Sequence, residues 1–415
     1  MFRQEPTIKH KILNDPVHGF ISVENELLLT LIDDPFFQRL RRIRQLGLTP
    51  LVYPGAQHTR YQHAVGALHL MQLALHTLES RGMPISDDEK LALQVAILLH
   101  DIGHGPFSHA LERVIIPTDH ETITRLIMRH YQRIFGEPIS DAIRAFDGEC
   151  RPFIHELISS QLDMDRLDYL KRDSFYTGVV EGTIGSERII KMLTLTPDEH
   201  LAVEEKGIYT IENFLLTRRM MYWQVYLHKT VVAAENMLRQ AIYRARDLTT
   251  SGNRPWTTPN FGFFLENAVD AAQLAADESL LHAFCLVDDD DVTASLKAWM
   301  TDDDPILSFL SQGLVNRNLF KIETSWSQIS EDREHQVIDL VSRQLDIPAD
   351  LCKYLVIRGS VGNRIYNASS DTINVILRDS KVADISSLSG AIGRGDTPER
   401  GVMFYLCYPR QIENL

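Results

Sequence analysis

Between His100 and His109 the chain reads HDIGHGPFSH, three histidines, one aspartate and two glycines in ten residues. The block follows directly on the apolar run LALQVAILL, Leu91 to Leu99. A histidine beside an aspartate at a helix end, with a glycine break after it, offers two metal ligands from one rigid element. His104 and His109 follow where the chain turns, close enough to serve the same centre. One HD pair is expected roughly once by chance in such a composition, so its surroundings carry the reading. Upstream, HTRYQHAVGALH sets His63 near Arg60; downstream, QLDMDRLDYLKRD carries Asp163, Asp165, Asp168 and Asp173. Two His and two Asp drawn from three helices would offset the charge of a divalent cation. They would also leave positions for a water and a phosphate oxygen. The chemistry this points to is metal-assisted hydrolysis.

The chain that must position these groups has 415 residues, enough for about two or three lobes around a large core. Hydrophobic residues make up 44% and charged residues 24%, an ordinary globular balance. With 42 basic and 56 acidic residues the net charge is −14, which repels polynucleotides and acidic membranes and argues against a nucleic-acid partner. Cys150, Cys285, Cys352 and Cys407 show no CxxC spacing and read as reduced thiols, so a cytoplasmic protein is expected. MFRQEPTIKHKILN lacks the apolar core of a signal peptide, and no apolar run nears the ~18 residues of a membrane span.

Spacing of apolar residues predicts a helix over Pro35 to Gly47, with Gly47 as C-cap and the arginines largely on other faces. Further helices are predicted from Thr59 to Leu78 and from Asp88 to His100, the latter capped by Ser86. Two more are expected over His155 to Asp173 and Glu212 to Ala245. LTTSGNRPWTTPN, Leu248 to Asn260, reads as a linker. The division expected is a core over 1–247, a helical extension over 261–345 and a small α/β lobe over 346–415 with strands in KYLVIRGS, TINVILRD and MFYLCYP. The acidic runs at Asp288 to Asp291 and Asp302 to Asp304 lack the spacing of a calcium loop and suit solvated loops or helix N-caps.

The order H…HD…D, the HDIGHGPFSH block, NDPVHGF near the start and YPGAQHTRYQHAVG together resemble the HD-domain phosphohydrolases, above all their dNTP triphosphohydrolase branch. The likeness spans roughly residues 11–240 and returns at RNLFK, Arg317 to Lys321. It implies a mainly α fold: an HD helical-bundle core with additional helices and a small C-terminal α/β lobe. It also implies His63, His100, Asp101 and Asp165 as metal ligands, for one divalent transition metal among Fe, Mn, Zn, Ni and Co, with Mg a candidate companion of the nucleotide. Asp163 and Asp168 then suit supporting or helix-surface places, and His104 suits substrate contact or loop bracing.

By the same resemblance His109, Glu112, His120 and Glu121 form the acid/base group. Arg60, Arg166, Arg218 and Lys229 meet substrate phosphates; the vertebrate enzyme has lysine where this chain has Arg166. Gln45, Leu46, Tyr169 and Asp173 read the sugar, and Tyr226 sits at sugar and base. Lys11, Asp33, Gln38 and Arg41 resemble a guanine-nucleotide activator site between subunits, with Arg317 and Lys321 at a neighbouring phosphate, which implies a homo-oligomer, dimer or tetramer. The activity implied is hydrolysis of dNTPs to deoxynucleoside and triphosphate. The alternatives are an HD phosphohydrolase or phosphodiesterase acting on another nucleotide or phosphate ester, and a nucleotide-sensing regulatory oligomer.

Overall fold

The computed structural model describes residues 10–362, 372–389 and 402–412, so the opening MFRQEPTIK lies outside the described residues. A hairpin of β1 (Lys11–Asp15) and β2 (Gly19–Val23) precedes α1 (Glu26–Asp33) and α2 (Pro35–Gln38). Then come α3 (Arg60–Ser80), α4 (Asp87–Leu99), α5 (His120–Phe135), α6 (Glu137–Asp147), α7 (Pro152–Ile158), α8 (Met164–Thr177) and α9 (Ser186–Met192). Strands β3 (Leu193–Leu195) and β4 (Leu201–Glu204) lead into α10 (Ile208–Met221) and α11 (Lys229–Thr250). Next come α12 (Pro259–Glu266), α13 (Ala271–Ala276), α14 (Glu278–Cys285), α15 (Asp289–Trp299) and α16 (Pro305–Val315). Last are β5 (Lys321–Ser325), α17 (Glu331–Leu345), β6 (Ile357–Gly362), β7 (Asn374–Ile376), β8 (Val382–Asp384), α18 (Ile385–Leu388) and β9 (Val402–Tyr408). The fold is mainly helical with small sheets, as expected.

α3 packs between α4 and α8, and its small and apolar residues are buried almost all round, from Tyr61 through Leu78. Its start is fixed by a capping box, in which Thr59 N donates to Gln62 Oε1 at 2.8 Å. Ser86 and Glu89 cap α4 in the same way, so both of these predicted N-termini are realised. Asp288 caps α15 and Asp304 caps α16, which places both acidic runs at helix starts.

Three predicted helices are broken. From Pro35 the helix ends by Arg42: Ile43 is extended, Arg44 bridges Thr59, and Gln45 N donates to His58 O at 3.0 Å. Arg39 is fully buried beneath this segment, donating to the carbonyls of Ile102 and His104, rather than on an outer face. The stretch from His155 splits into α7 and α8, because Asp163 turns its carboxylate onto the N–H groups of Ser160 and Arg166 and starts a new helix. The stretch from Glu212 passes through a π turn at Tyr222–Tyr226, and His228 caps α11 afresh.

The C-terminal strands divide over two sheets. β7 pairs in parallel with β4, Ala202 opposite Asn374, in a sheet ordered β3-β4-β7-β8. β9 lies between β5 and β6, both antiparallel to it, with Lys321 opposite Tyr408. Among the described residues no helix is long and apolar enough to cross a membrane. All four cysteines are free thiols.

Candidate metal centre and active site

α3, the end of α4 and the first turn of α8 deliver four donor groups to one buried point. His63 Nε2 lies 3.0 Å from Asp165 Oδ1 and 3.2 Å from His100 Nε2. His100 Nε2 lies 3.4 Å from Asp165 Oδ1 and 3.6 Å from Asp101 Oδ1, while Asp101 Oδ2 is 3.7 Å from His63 Nε2. Donor atoms about 2.1 Å from a shared metal lie about 3.0–3.4 Å apart, so the His63, His100 and Asp165 edges fit one ion and Asp101 lies just outside that spacing.

The far nitrogens decide what the near ones offer. His63 Nδ1 faces Asp168 Oδ2 at 2.8 Å and His100 Nδ1 faces Ile97 O at 2.7 Å. Both partners are acceptors, so both Nδ1 atoms carry the proton and both Nε2 lone pairs point inward beside two carboxylates. Such a convergence of donor atoms is consistent with binding a divalent cation. Burial disfavours charge on His63, yet its hydrogen bonds to Asp165 and Asp168 outweigh that and lift its pKa to about 10, so a metal ion binding Nε2 would displace a proton held there.

Behind His63 stands a charged stack that the sequence reading did not identify. Asp168 accepts from Arg172 through two bonds of 2.9 Å and lies 2.7 Å from His18 Nε2; Arg172 in turn donates to Asp15 at 2.7 Å. All four are buried or nearly so, and the two from the β1–β2 hairpin belong to the NDPVHGF segment. Gly66 leaves room for the stack: a Cβ there would lie 2.1 Å from both Arg172 Nη2 and Asp168 Oδ1. The signal available was spacing, since Asp165, Asp168 and Arg172 at i, i+3 and i+7 share a face of α8.

Next to the metal cluster sits the histidine group of the HDIGHGPFSH turn. His104 Nε2 is 3.3 Å from Asp101 Oδ1, and its ring stacks on His120, the centroids 3.8 Å apart at 14°. Glu112 joins His120 Nδ1 at 2.6 Å and His109 Nδ1 at 3.1 Å, which brings three of the four expected acid/base residues together. Glu121 is not with them: it is exposed and pairs with Arg125 along α5 at 3.5 Å. Burial opposes ionisation of Glu112, but its bonds to His109 and His120 hold its carboxyl far below the usual range. His104 is held well below the ordinary histidine value by burial and by the Arg60 charge, and is neutral.

Arg60 binds Asp101 and donates from Nε to Ser108 Oγ at 2.8 Å. Arg166 binds Asp163 and the Ser160 carbonyl, and Arg218 donates to Gln161 Oε1 at 2.5 Å. The Nε atoms of Arg166 and Arg218 are buried with no hydrogen-bond partner, and both charges act on Tyr169. Lys229 is exposed at the start of α11. Asp173 is shared between His58 Nε2 at 2.7 Å and Tyr226 O–H at 2.6 Å, and the Tyr169 ring lies between those of His63 and Tyr226, at 6.4 and 6.2 Å. Gln45 and Leu46 lie on the segment bonded to His58, and Gln45 Oε1 is buried without a partner. His58 was missed because a lone histidine before a helix start carries no signal.

The expected activator residues Lys11, Asp33, Gln38 and Arg41 gather around Tyr61: Lys11 meets Asp33 at 2.8 Å, Arg41 donates to Gln38 at 2.8 Å, and the Arg41 guanidinium lies 3.6 Å from the Tyr61 ring centre. Arg317 and Lys321 sit elsewhere, donating to Leu51 O at 2.7 Å and lying over Tyr408 at 5.6 Å. Among the described residues no hydrogen bond or ion pair joins them to the Lys11 group.

Comparison with known proteins supplies the family. The HD domain model matches residues 60–173 and the HD associated region matches residues 184–254. The chain is 34% identical over 324 residues to the uncharacterized protein YwfO of Bacillus subtilis, covering 75% of this chain and 72% of that protein. A crystal structure of a phosphohydrolase, BT4208 from Bacteroides thetaiotaomicron, superposes with a TM-score of 0.91 at 45% identity, over 97% of this chain and 100% of that one. Human SAMHD1, a deoxynucleoside triphosphate triphosphohydrolase, is 28% identical over 294 residues, 59% of this chain and 47% of its own length. The chain belongs to the HD-domain phosphohydrolases, and its His/Asp cluster is consistent with binding a divalent metal.

Proposed function

We propose that the protein hydrolyses dNTPs to deoxynucleoside and triphosphate, with His63, His100, Asp101 and Asp165 holding the metal. The observation that carries the reading is where buried polar atoms lack partners. Native structures leave few such atoms, and ones gathered at a site call for a ligand. Here two cationic donors, Arg166 Nε and Arg218 Nε, remain open beside Tyr169, and one acceptor, Gln45 Oε1, remains open on the segment bonded to His58, the partner of Asp173. Donors with positive charge suit phosphate oxygens, and the acceptor suits a hydroxyl. A nucleotide carries both.

When bound, a divalent metal supplies a Lewis acid that polarises a phosphoryl oxygen and acidifies a coordinated water. Arg166 and Arg218 steady the phosphate charge, with Arg60 fixed between Asp101 and Ser108 beside them. Glu112 stays anionic and orients His109 and His120, one of which gives a proton to the departing nucleoside oxygen. Neutral His104 provides a stacking surface for His120 without competing for that proton. Tyr169 and Tyr226 crowd the sugar, and Gln45 and Asp173 receive its hydroxyl. A guanine-nucleotide activator site at Lys11, Asp33, Gln38 and Arg41, between subunits of a homo-oligomer, belongs to the same reading. The name of SAMHD1 supports the dNTP substrate.

The test is a screen of metal-loaded protein against the four dNTPs and four NTPs, with and without GTP or dGTP, with products identified. Tripolyphosphate and deoxynucleoside are expected; orthophosphate or a nucleoside monophosphate as first product would overturn the reading.

A further inference from the structure

A second set of metal donors sits where α5 meets α14, outside the HD site. Glu278 and His282 are one turn apart on α14, so both project from one face. His130 of α5 meets them: its Nδ1 hydrogen-bonds Glu278 Oε1, and His282 Nε2 lies 3.9 Å from that same oxygen. One donor atom from each residue lies within 4.8 Å of the other two. The other Glu278 oxygen is taken by Arg133 at 3.1 Å, which leaves Oε1 as the donor.

The imidazoles are held in place by packing. Phe36 of α2 lies 5.3 Å from the His130 ring and 4.6 Å from the His282 ring, and the two imidazoles are 5.4 Å apart at 83°. His130 is 14% exposed, while Glu278 and His282 are about half exposed, at 48% and 51%. The group is therefore walled on the Phe36 side and open to solvent on the other.

We propose that His130, Glu278 and His282 form a second divalent metal site, independent of the HD centre and selective for zinc-like ions. Two imidazoles and one carboxylate are a known zinc donor set that leaves a fourth position for water. Small turns of two half-exposed side chains bring the donors to the spacing an ion needs. Magnesium and calcium ask for oxygen donors and are poorly served here. An ion at this point ties α14 to α5, the helix whose first residue is His120.

Zinc uptake by chelator-stripped protein tests the site, by titration calorimetry and by metal analysis after desalting. The His100→Ala, Asp101→Ala variant, which leaves the HD centre with one imidazole and one carboxylate, provides the background. In it, His130→Ala and His282→Ala are each expected to take up one equivalent less zinc, with unchanged circular dichroism. Zinc should raise the Tm of the background variant but not that of the variants that also lack His130 or His282, and excess magnesium should not displace it. Equal zinc uptake by the background variant and by the same variant carrying His282→Ala would overturn the proposal.

Discussion

Asp168 Oδ2 lies 2.8 Å from His63 Nδ1, and that contact dictates which His63 nitrogen is free to bind a metal. The carboxylate is itself gripped by Arg172 and His18, so the ring orientation is set by a buried charge stack reaching back to Asp15. Asp168→Asn should weaken metal binding about 10–100-fold, the range for lost ligand support. It should also cost about 3 kcal/mol of stability by leaving Arg172 short of a counter-charge. Chelator competition and urea unfolding measure the two; an unchanged metal affinity would contradict the assignment.

Glu112 and Glu121 are nine residues apart and face different work. Glu112 ties His109 to His120, whereas Glu121 pairs outward with Arg125. Glu112→Gln should lower kcat about 100-fold, the usual scale for acid–base assistance, with metal content intact. Glu121→Gln should leave kcat nearly unchanged. Steady-state kinetics on the two variants would show equal losses if the structure misplaces these roles.

The loop that carries His109 is held from a distance. Phe107 and Ser108 both have left-handed backbone angles, φ 53° and 52°, which cost about 1–3 kcal/mol each unless their surroundings impose them. Asp289 accepts from Phe107 N at 2.6 Å and from Arg44 N at 3.0 Å, clamping this loop to the segment of Gln45 and Leu46. Asp289→Leu should drop kcat about 10–100-fold through misplacement of both segments, and Asp289→Asn, which keeps one acceptor, should fall between. Hydrogen exchange at residues 104–110 should quicken in Asp289→Leu while α3 stays protected; unaltered exchange there would refute the clamp.

Acid sensitivity has a site far from the metal. Burial opposes ionisation of Asp304, but the bonds from Arg244 and Leu307 N outweigh it and hold the carboxyl below its ordinary value. Arg244 reaches it through two bonds, of 2.5 and 3.1 Å, linking α11 to the start of α16. A depressed native pKa stabilises above the unfolded value, about 4, and the contribution is lost as pH falls through the native value. Asp304→Asn keeps the cap and removes the charge, so it should cost about 2 kcal/mol at pH 7 and progressively less below pH ~4. Urea midpoints at the two pH values check this; an equal gap at both would be contrary.

Local signals in the sequence reached the helices that matter most. Thr59 and the capping residue Ser86 marked where α3 and α4 begin, and the four residues that the family resemblance implied as ligands, His63, His100, Asp101 and Asp165, lie together. The break at Asp163 escaped notice because Leu157, Met164 and Leu167, at i, i+7 and i+10, keep a helical rhythm across a gap that a single capping carboxylate creates. Partnerships over long separations left no local trace: β4 with β7, His58 with Asp173, and Asp289 with Phe107. Arg39 looked like a surface cation, and only the two carbonyls it meets in the HDIGHG turn account for its burial.

The measurement that bears most directly on the account is phosphorus NMR of dGTP incubated with chelator-stripped protein as metal is restored. Tripolyphosphate should appear only as metal is added, and Asp101→Ala should release none under the same conditions. Tripolyphosphate release that ignores the chelator, or none at any metal level with any dNTP, would contradict it.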